Sequence, residues 1–452
     1  MLVFNSLAFY VAPTSTNTTN HRKLDRFTFP KSRSTVLPDP SSSSHQTSSH
    51  PPSPQTHFSK IYLTHDASTI TSENFRGVIR IALLSKTDSE SVLDRFSSSY
   101  PVSGHALFRE SFSVRYRWKK KGLGDLLMLA NPLHIRLLDD SSIKVLNDFR
   151  YKSIDGELVG VVGSSWVLKT DPVSVTWHSI KGVQRESYPE IIDALVQDVK
   201  GLNSTRLALI AEEVDHVDVI PKIKKYLKDT IEPWLDGTFA GNSFLYDKSW
   251  GGLITKQGST DRTADFGFGI YNDHHFHIGY YLYGIAVLAK TDPIWGRKYK
   301  PQAYSLMLDF MTLRRNQEST SEAVNAYYSV ALMGLAYEDP HLVAFGSLLT
   351  TMEIHAAQTW WHVKEDDTLY AEFKEIRLGI QVLPLLPITE ILFSDVEYVK
   401  QLVDWSLPSL KRKDVGEGWK GFVYALEGIY EKEVALKKIR NLKGHDDGNS
   451  FE

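Results

Sequence analysis

The sequence predicts a multidomain α+β chain in which an antiparallel β unit precedes a larger α-helical one. Two observations carry that reading. Between about residues 69 and 182, β-branched and aromatic residues alternate with polar ones at the two-residue period of a half-buried strand, and after Gly182 the apolar period becomes that of a helix. A third observation sets the N-terminal border. Residues 1–66 are dominated by Ser, Thr, Pro and His, as in LPDPSSSSHQTSSHPPSPQTH, and such a composition offers too little apolar burial to offset its ordering entropy. We read that segment as disordered.

The β unit is expected over residues 67–182. TITSENFRGVIRIALL and SFSVRYRW carry the period-two pattern, and DGELVGVVGSSWVL opens on the hairpin signal Asp155-Gly156. VSVTWHSI reads as a further strand. A small linking region, 183–240, begins with SYPEIIDALVQDV. There Ser187 is placed to cap, Pro189 sits in the first turn and Glu190 completes a capping box, while Ile191, Ile192, Leu195, Val196 and Val199 share one face. Helices follow in RLALIAEEV and PKIKKYLKDTIEPWL. The helical domain, 241–445, contains HIGYYLYGIAVLAK, PQAYSLMLDFM, SEAVNAYYSVALMGLAY, HLVAFGSLLTTMEIHAAQTWW, SDVEYVKQLVDWSLP and GWKGFVYALEGIYEKEVALKKI, ahead of a tail at 446–452. Short connections favour antiparallel neighbours, which fits a bundle, a solenoid or a toroid.

Composition narrows the function. Lys and Arg number 51 against 54 Asp and Glu, so a net charge of −3 gives no reason to expect nucleic acid as a partner and favours a neutral polymer or small molecule. Ten Trp and 21 Tyr supply flat rings with polar tips, which suit sugar faces as well as cores. The absence of cysteine excludes disulfides, a thiolate nucleophile and a thiolate zinc site. No stretch is long and apolar enough to span a bilayer. MLVFNSLAFYVAP resembles the apolar core of a signal peptide, yet no basic residue precedes it and Asn5 and Ser6 interrupt it. Sequons at Asn17 and Asn203 are too common to decide the compartment.

Two short stretches could do chemistry. In YNDHHFHIGY, Asn272 or Asp273 caps a helix, which sets Asp273 and His277 one turn apart on one face. His274, His275 and His277 also admit a metal reading, although the stretch lacks the H-E-x-x-H pattern. A capped helix rich in exposed histidine is the plain alternative. In RRNQESTSEAVNAYY, Ser319 and Glu322 form a capping box, which accounts for those two residues without chemistry. Glu318 lies outside that explanation, as do Asn316, Gln317, Asn325, Tyr327 and Tyr328 around it. Asp273 together with Glu318 and Glu322 makes a candidate carboxylate pair for glycoside hydrolysis, where one carboxyl is protonated to help the leaving group and the other is ionised. A helix N-terminus favours the anion, so an acid at Asp273 needs desolvation or neighbouring carboxylates, with rings such as Tyr271 and Phe276 able to contribute. The triplet Asp265-Phe266-Gly267 matches a kinase motif without that family's other motifs, and GFGIYN is too short for a nucleotide fingerprint.

These stretches carry a resemblance. DFGFGIYNDHHFHIGYYLYGIAVLAKTDPIWGRKYKPQAYSLMLDFM, RNQESTSEAVNAYYSVALMGLAY, AAQTWWHVKE and EGWKGFVYALEGIY resemble plant members of glycoside hydrolase family 81, the endo-1,3-β-glucanases, and the likeness runs from about Thr69 to Ser450. The resemblance implies an N-terminal β-sandwich, a small linking domain and a C-terminal (α/α)6 toroid, with a glucan cleft between them. It implies endo-hydrolysis of β-1,3-glucan with inversion, with Asp273 as general acid, His277 beside it, Glu318 as general base and Glu322 helping to hold the water. Tyr271, Lys256, His275 and Asn325 are further candidates for gripping the glucan. No metal or cofactor is implied; the expected enzyme is a monomer. An extracellular or cell-wall location would fit the family, while the N-terminus leaves the cytoplasm open.

The chain also departs from the family. Leu313 runs straight into Arg314 where a substantial segment is expected, another is missing between YAEF and KEIRLGI, the sandwich is shortened, and DDGNSFE stops where a last apolar segment would follow. A shortened homologue that only binds β-1,3-glucan is therefore the alternative, and the toroid is expected to be incomplete. A carboxyl separation of about 6.5–9.5 Å would mark inversion and about 5–5.5 Å retention.

Overall fold

The computed structural model describes residues 32–38, 62–63, 70–71, 77–83, 89–108, 110–139, 143–153, 156–201, 205–310, 320–362, 364–365, 384–413 and 415–444. Two units result, one drawn from residues up to 109 and 114–168, the other from 110–113 and 169 onward. The stretch 183–240 lies in the same unit as the helices that follow it.

The β unit comprises β1 (Ser32–Pro38), β2 (Tyr62–Leu63), β3 (Ile70–Thr71), β4 (Gly77–Leu83), α1 (Ser89–Arg95), β5 (Ser99–Leu107), β6 (Ser113–Gly122), β7 (Leu127–Ala130), α2 (Pro132–Leu137), β8 (Lys144–Ser153), β9 (Gly156–Val162) and β10 (Ser165–Lys169). Strand β1 pairs antiparallel with β4 in a two-stranded sheet, so the Ser/Thr/Pro-rich segment is not structureless throughout. Two three-stranded sheets follow, β10-β6-β5 and β7-β9-β8. In β6, Val114 and Tyr116 are buried while Arg117 is exposed, which is the alternation read from SFSVRYRW. Strand β9 lies between two neighbours and is buried continuously from Leu158 to Val161. Asp155 of the expected hairpin lies outside the described residues; its flanks, Ser153 and Gly156, pair directly. Helix α2 rests on β7 and β9, and its His134 ring meets Tyr116 of β6 at 5.7 Å and Trp166 of β10 at 5.9 Å, so the sheets share one core.

VSVTWHSI is not a strand. The Thr176 N–H donates to the Tyr328 hydroxyl at 3.3 Å, that hydroxyl bonds the Thr176 carbonyl, and Thr176 Oγ1 donates to the His178 carbonyl at 2.7 Å. Side chains satisfy the backbone here, and no sheet partner is needed.

The helical unit contains α3 (Tyr188–Gly201), α4 (Leu207–Glu213), α5 (Ile220–Leu235), the hairpin β11 (Phe244–Asp247) and β12 (Gly252–Thr255), then α6 (His274–Thr291), α7 (Pro293–Phe310), α8 (Thr320–Ala336), α9 (Pro340–Trp360), α10 (Thr389–Leu392), α11 (Val396–Ser406), α12 (Glu417–Glu427) and α13 (Lys432–Arg440). Helix α3 buries Leu195 and Val199 as expected, but Glu190 bonds Arg440 at 3.0 Å instead of closing a capping box. Helix α7 begins eight residues before PQAYSLMLDFM because Asp292 caps it, its carboxylate accepting from Trp295 N–H at 3.1 Å, and Pro293 fits the first turn. The long C-terminal helix read from sequence breaks after Glu427 into α12 and α13.

Helices α6 and α8 are buried almost all round, whereas α7 exposes Ile294 and Leu308. That contrast makes α6 and α8 an inner layer against which α7 and α9 fold back as hairpin partners. The inner pair meets at Gly279, where an added Cβ would lie 2.6 Å from Ala326 Cβ. Gly279→Ala should therefore force α6 and α8 apart and cost about 1–3 kcal/mol, read as a lower denaturation midpoint with an unchanged slope.

His134 supplies a second prediction. Both its ring nitrogens are buried without a hydrogen-bond partner, and burial lowers its pKa to about 4. Above the ordinary value of 6.5 the ring is neutral in both folded and unfolded chains; between 6.5 and about 4 only the unfolded chain takes the proton. Stability is thus present above pH 6.5 and is lost as pH falls towards 4. His362, stacked on Tyr398 and also lowered to about 4, behaves alike. Thermal melts should show the fall, and the double variant His134→Phe/His362→Phe should flatten it.

Candidate active site

A strained loop delivers the first half of the site. From Ala264 to Ile270 the chain turns in 3-10 fashion, and Asp265, Phe266, Tyr271 and Asp273 all adopt left-handed φ between 48° and 65°. Each such non-glycine residue costs about 1–3 kcal/mol, so the surroundings must hold it. Asp265 Oδ2 accepts from Thr255 Oγ1 at 3.1 Å, Asn272 Nδ2 donates to the Phe266 carbonyl at 3.0 Å, and the Tyr271 hydroxyl donates to Asp247 Oδ2 at 3.2 Å. Gly269 is required on steric grounds: an added Cβ would stand 2.0 Å from the Gly258 carbonyl oxygen.

Asp273 occupies the N-cap position of α6, as the sequence suggested, but in a left-handed conformation with no side-chain capping bond. His277 N–H donates to the Asp273 carbonyl at 3.2 Å, which confirms the one-turn spacing. The His277 ring lies 6.0 Å from Phe266 and 5.7 Å from Phe268. Burial lowers its pKa while the Asp265 charge opposes the shift, so the imidazole is neutral at neutral pH. Phe276, expected near Asp273, is a core residue, and the rings flanking His277 are Phe266 and Phe268 instead.

The other histidines are not on the surface. His274 is fully buried, stacks on Phe268 at 4.4 Å, and presents Nε2 to the Leu253 carbonyl at 2.7 Å, a contact that requires the proton on Nε2. Asp309, near the end of α7, approaches that nitrogen at 3.5 Å and accepts from Leu253 N–H at 2.8 Å. This buried pair fastens β12 to the start of α6. His275 is also buried, with its ring 6.4 Å from Tyr327. Among the described residues no three His, Asp or Glu side chains gather to hold a metal ion.

Helix α8 supplies the second half. Glu322, half-buried in its first turn, accepts from the Tyr280 hydroxyl of α6 at 2.9 Å. Burial and the Glu322 charge both raise the Tyr280 pKa, so the phenol remains a donor. Asn325, one turn on, is buried with Nδ2 lacking a partner. Tyr328, grouped with these residues in the sequence, is instead a core residue bonded to Thr176. Glu318, Asn316, Gln317 and Ser319 lie outside the described residues. Lys256 is exposed in the turn after β12, and Tyr271 is half-buried on the loop.

Helix α6 thus carries Asp273 and His277 one turn apart, and Tyr280, a turn further on, joins that helix to Glu322 at the start of α8. A carboxyl, a neutral imidazole and an oriented carboxylate are groups that can move protons and position water. Sequence reasoning missed Tyr280, although its place one turn beyond His277 was a usable signal. It also missed Asp309, for which no local signal exists.

Comparison with known proteins gives these residues a context. A family model described as the glycosyl hydrolase family 81 N-terminal domain matches residues 53–180, and the corresponding C-terminal domain model matches 198–315, 311–373 and 366–452. The pieces meet at the two places where the sequence lacks expected segments, both outside the described residues. A glucan endo-1,3-beta-D-glucosidase of Glycine max is 55% identical over 474 residues, covering 87% of this chain and 71% of that protein. An alignment longer than the 452-residue chain itself leaves residues of the relative facing gaps. A glucan endo-1,3-beta-D-glucosidase of Arthroderma benhamiae is 24% identical, covering 80% of this chain and 50% of its own length. The solved structure of a mutant glycoside hydrolase family 81 protein from Clostridium thermocellum superposes with a TM-score of 0.67 at 19% identity, covering 86% of this chain and 65% of that one. The chain therefore spans half the fungal relative and just under two thirds of the bacterial one; the structural likeness speaks for the fold.

The clamp on β12 is testable apart from any activity. Asp309→Ala leaves the Leu253 N–H without this acceptor and should cost about 1–3 kcal/mol, seen as a lower thermal midpoint. An unchanged midpoint would mean that the clamp does not hold the strand.

Proposed function

The chain belongs to glycosyl hydrolase family 81, and on that premise we propose that it hydrolyses internal β-1,3-glucosidic bonds of β-1,3-glucan, with Asp273 as general acid and Glu318 as general base. The observation that carries the reading is the 55% identity, across 87% of the chain, to a relative named for that activity. We keep with it the organisation of N-terminal segment, β-sandwich, linking region, helical domain and C-terminal tail, and a monomer.

The chemistry follows from the groups. Asp273 gives its proton to the glycosidic oxygen as the bond to the anomeric carbon breaks; Glu318 takes a proton from water that attacks the opposite face, which inverts the configuration. An acid at a helix N-terminus must escape the anion-stabilising pull of the first N–H groups. The left-handed cap helps here, because Asp273 makes no capping hydrogen bond to α6. Neutral His277 beside it adds no positive charge that would hold the carboxylate ionised. Glu322, fixed by Tyr280, orients the water, and Tyr271 and Lys256 grip the sugar, whereas His275 and Asn325, expected from the sequence to share that role, are buried and present no surface to it.

Asp273→Asn and Glu318→Gln should each lower hydrolysis of a laminarin-type glucan by about a hundredfold or more while retention on insoluble β-1,3-glucan persists. Unchanged turnover in either variant overturns its assignment. Binding by the unaltered chain without release of reducing ends would favour the binding-only reading, which the interrupted family match keeps specific.

A further inference from the structure

Phe266 is spent on no core. Its side chain is 77% exposed, whereas Phe268, two residues on, is 2% exposed and stacked on His274. The exposure is built in. Phe266 adopts φ 54° and ψ 31°, directly after Asp265 at φ 50° and ψ 47°, and two side-chain bonds fix the conformation, Thr255 to the Asp265 carboxylate and Asn272 to the Phe266 carbonyl. Consecutive left-handed residues that are not glycine are uncommon, and an aromatic one held in water forgoes the burial its ring would gain. The ring contact it does make is with His277, at 6.0 Å and a 38° tilt, and His277 stands one turn from Asp273.

We propose that Phe266 is a sugar-stacking residue, carrying a glucosyl unit on its exposed face next to the Asp273–His277 wall. The proposal rests on the reading of that wall as the hydrolytic site. A β-linked glucosyl ring has equatorial hydroxyls and axial C–H groups, so its faces are apolar and its rim is polar. A phenyl ring, having no hydroxyl, reads the face alone, while Asp273 and His277, both half-buried, are polar groups suited to the rim. Ile270, 55% exposed in the same loop, is a second apolar side chain the loop presents to solvent. Continuity with the proposed acid through His277 favours the substrate chain as the occupant. The contact is noncovalent; its effect falls on how the glucan is held and registered against the acid.

The test compares Phe266→Ala, Phe266→Leu, Phe266→Tyr and Phe266→Trp in the full chain, with a soluble laminarin-type β-1,3-glucan as probe. Loss of one aromatic stack is expected to raise KM about tenfold for the Ala and Leu variants, more than any fall in kcat, while Tyr and Trp restore it. Thermal midpoints should not fall, since the ring buries little in the folded chain. Leu is the control for shape, being apolar without a flat face, and guards against an Ala variant that fails to fold. An unchanged KM in Ala or Leu overturns the proposal, and so does a raised KM that Tyr and Trp fail to restore. Full turnover by Asp273→Asn would instead remove the underlying site, a result separate from any of the Phe266 outcomes.

Discussion

The approach of α6 and α8 at Gly279 and Ala326 is the constraint on which the site depends. No side chain larger than hydrogen fits at position 279, because its Cβ would come within 2.7 Å of the Ala326 backbone. The closeness brings Tyr280, the next residue, within hydrogen-bonding reach of Glu322, one turn along α6 from His277. Interiors are packed too densely to absorb an extra methyl there without displacement. A shift of α6 would move the whole acid-bearing turn relative to α8.

A second, independent fastening holds the start of α6 from the other side. The buried His274 and Asp309 together take up both backbone groups of Leu253, so β12, α6 and the end of α7 form one rigid corner. Between these two fastenings the loop from Asp265 to Asp273 stores its left-handed conformations. Strain of this kind persists where the surroundings over-determine it, and here it leaves Asp273 without a capping bond and Phe266 in solvent. Both results fit the proposed site, in which a carboxyl carries a proton and a ring meets a sugar face.

Much of this was readable in the sequence where the signal is local. The period-two run of β6, the apolar face of α3 and the start of α6 at Asp273 all follow from side-chain spacing. Signals that depend on distant partners were misread. VSVTWHSI has the composition of a strand, yet Tyr328, 152 residues away, satisfies its backbone at Thr176. Glu190 matches a capping box but is taken by Arg440, 250 residues on. The surplus of histidine in YNDHHFHIGY divides by burial: His274 is a structural donor, His275 is buried near Tyr327 and His277 is half-buried. Periodicity could not separate them, because all three lie within the first turn or so of one helix.

In the proposed mechanism Asp273 and Glu318 act as acid and base on opposite faces of the scissile glucosyl unit. The anomeric configuration of the first product tests it most directly, followed by proton NMR as the purified chain acts on a laminarin-type glucan before mutarotation. Initial appearance of the α-anomer is the result predicted. Initial appearance of the β-anomer would rule these roles out, since it requires a nucleophile bonded to carbon where the proposed mechanism places a water.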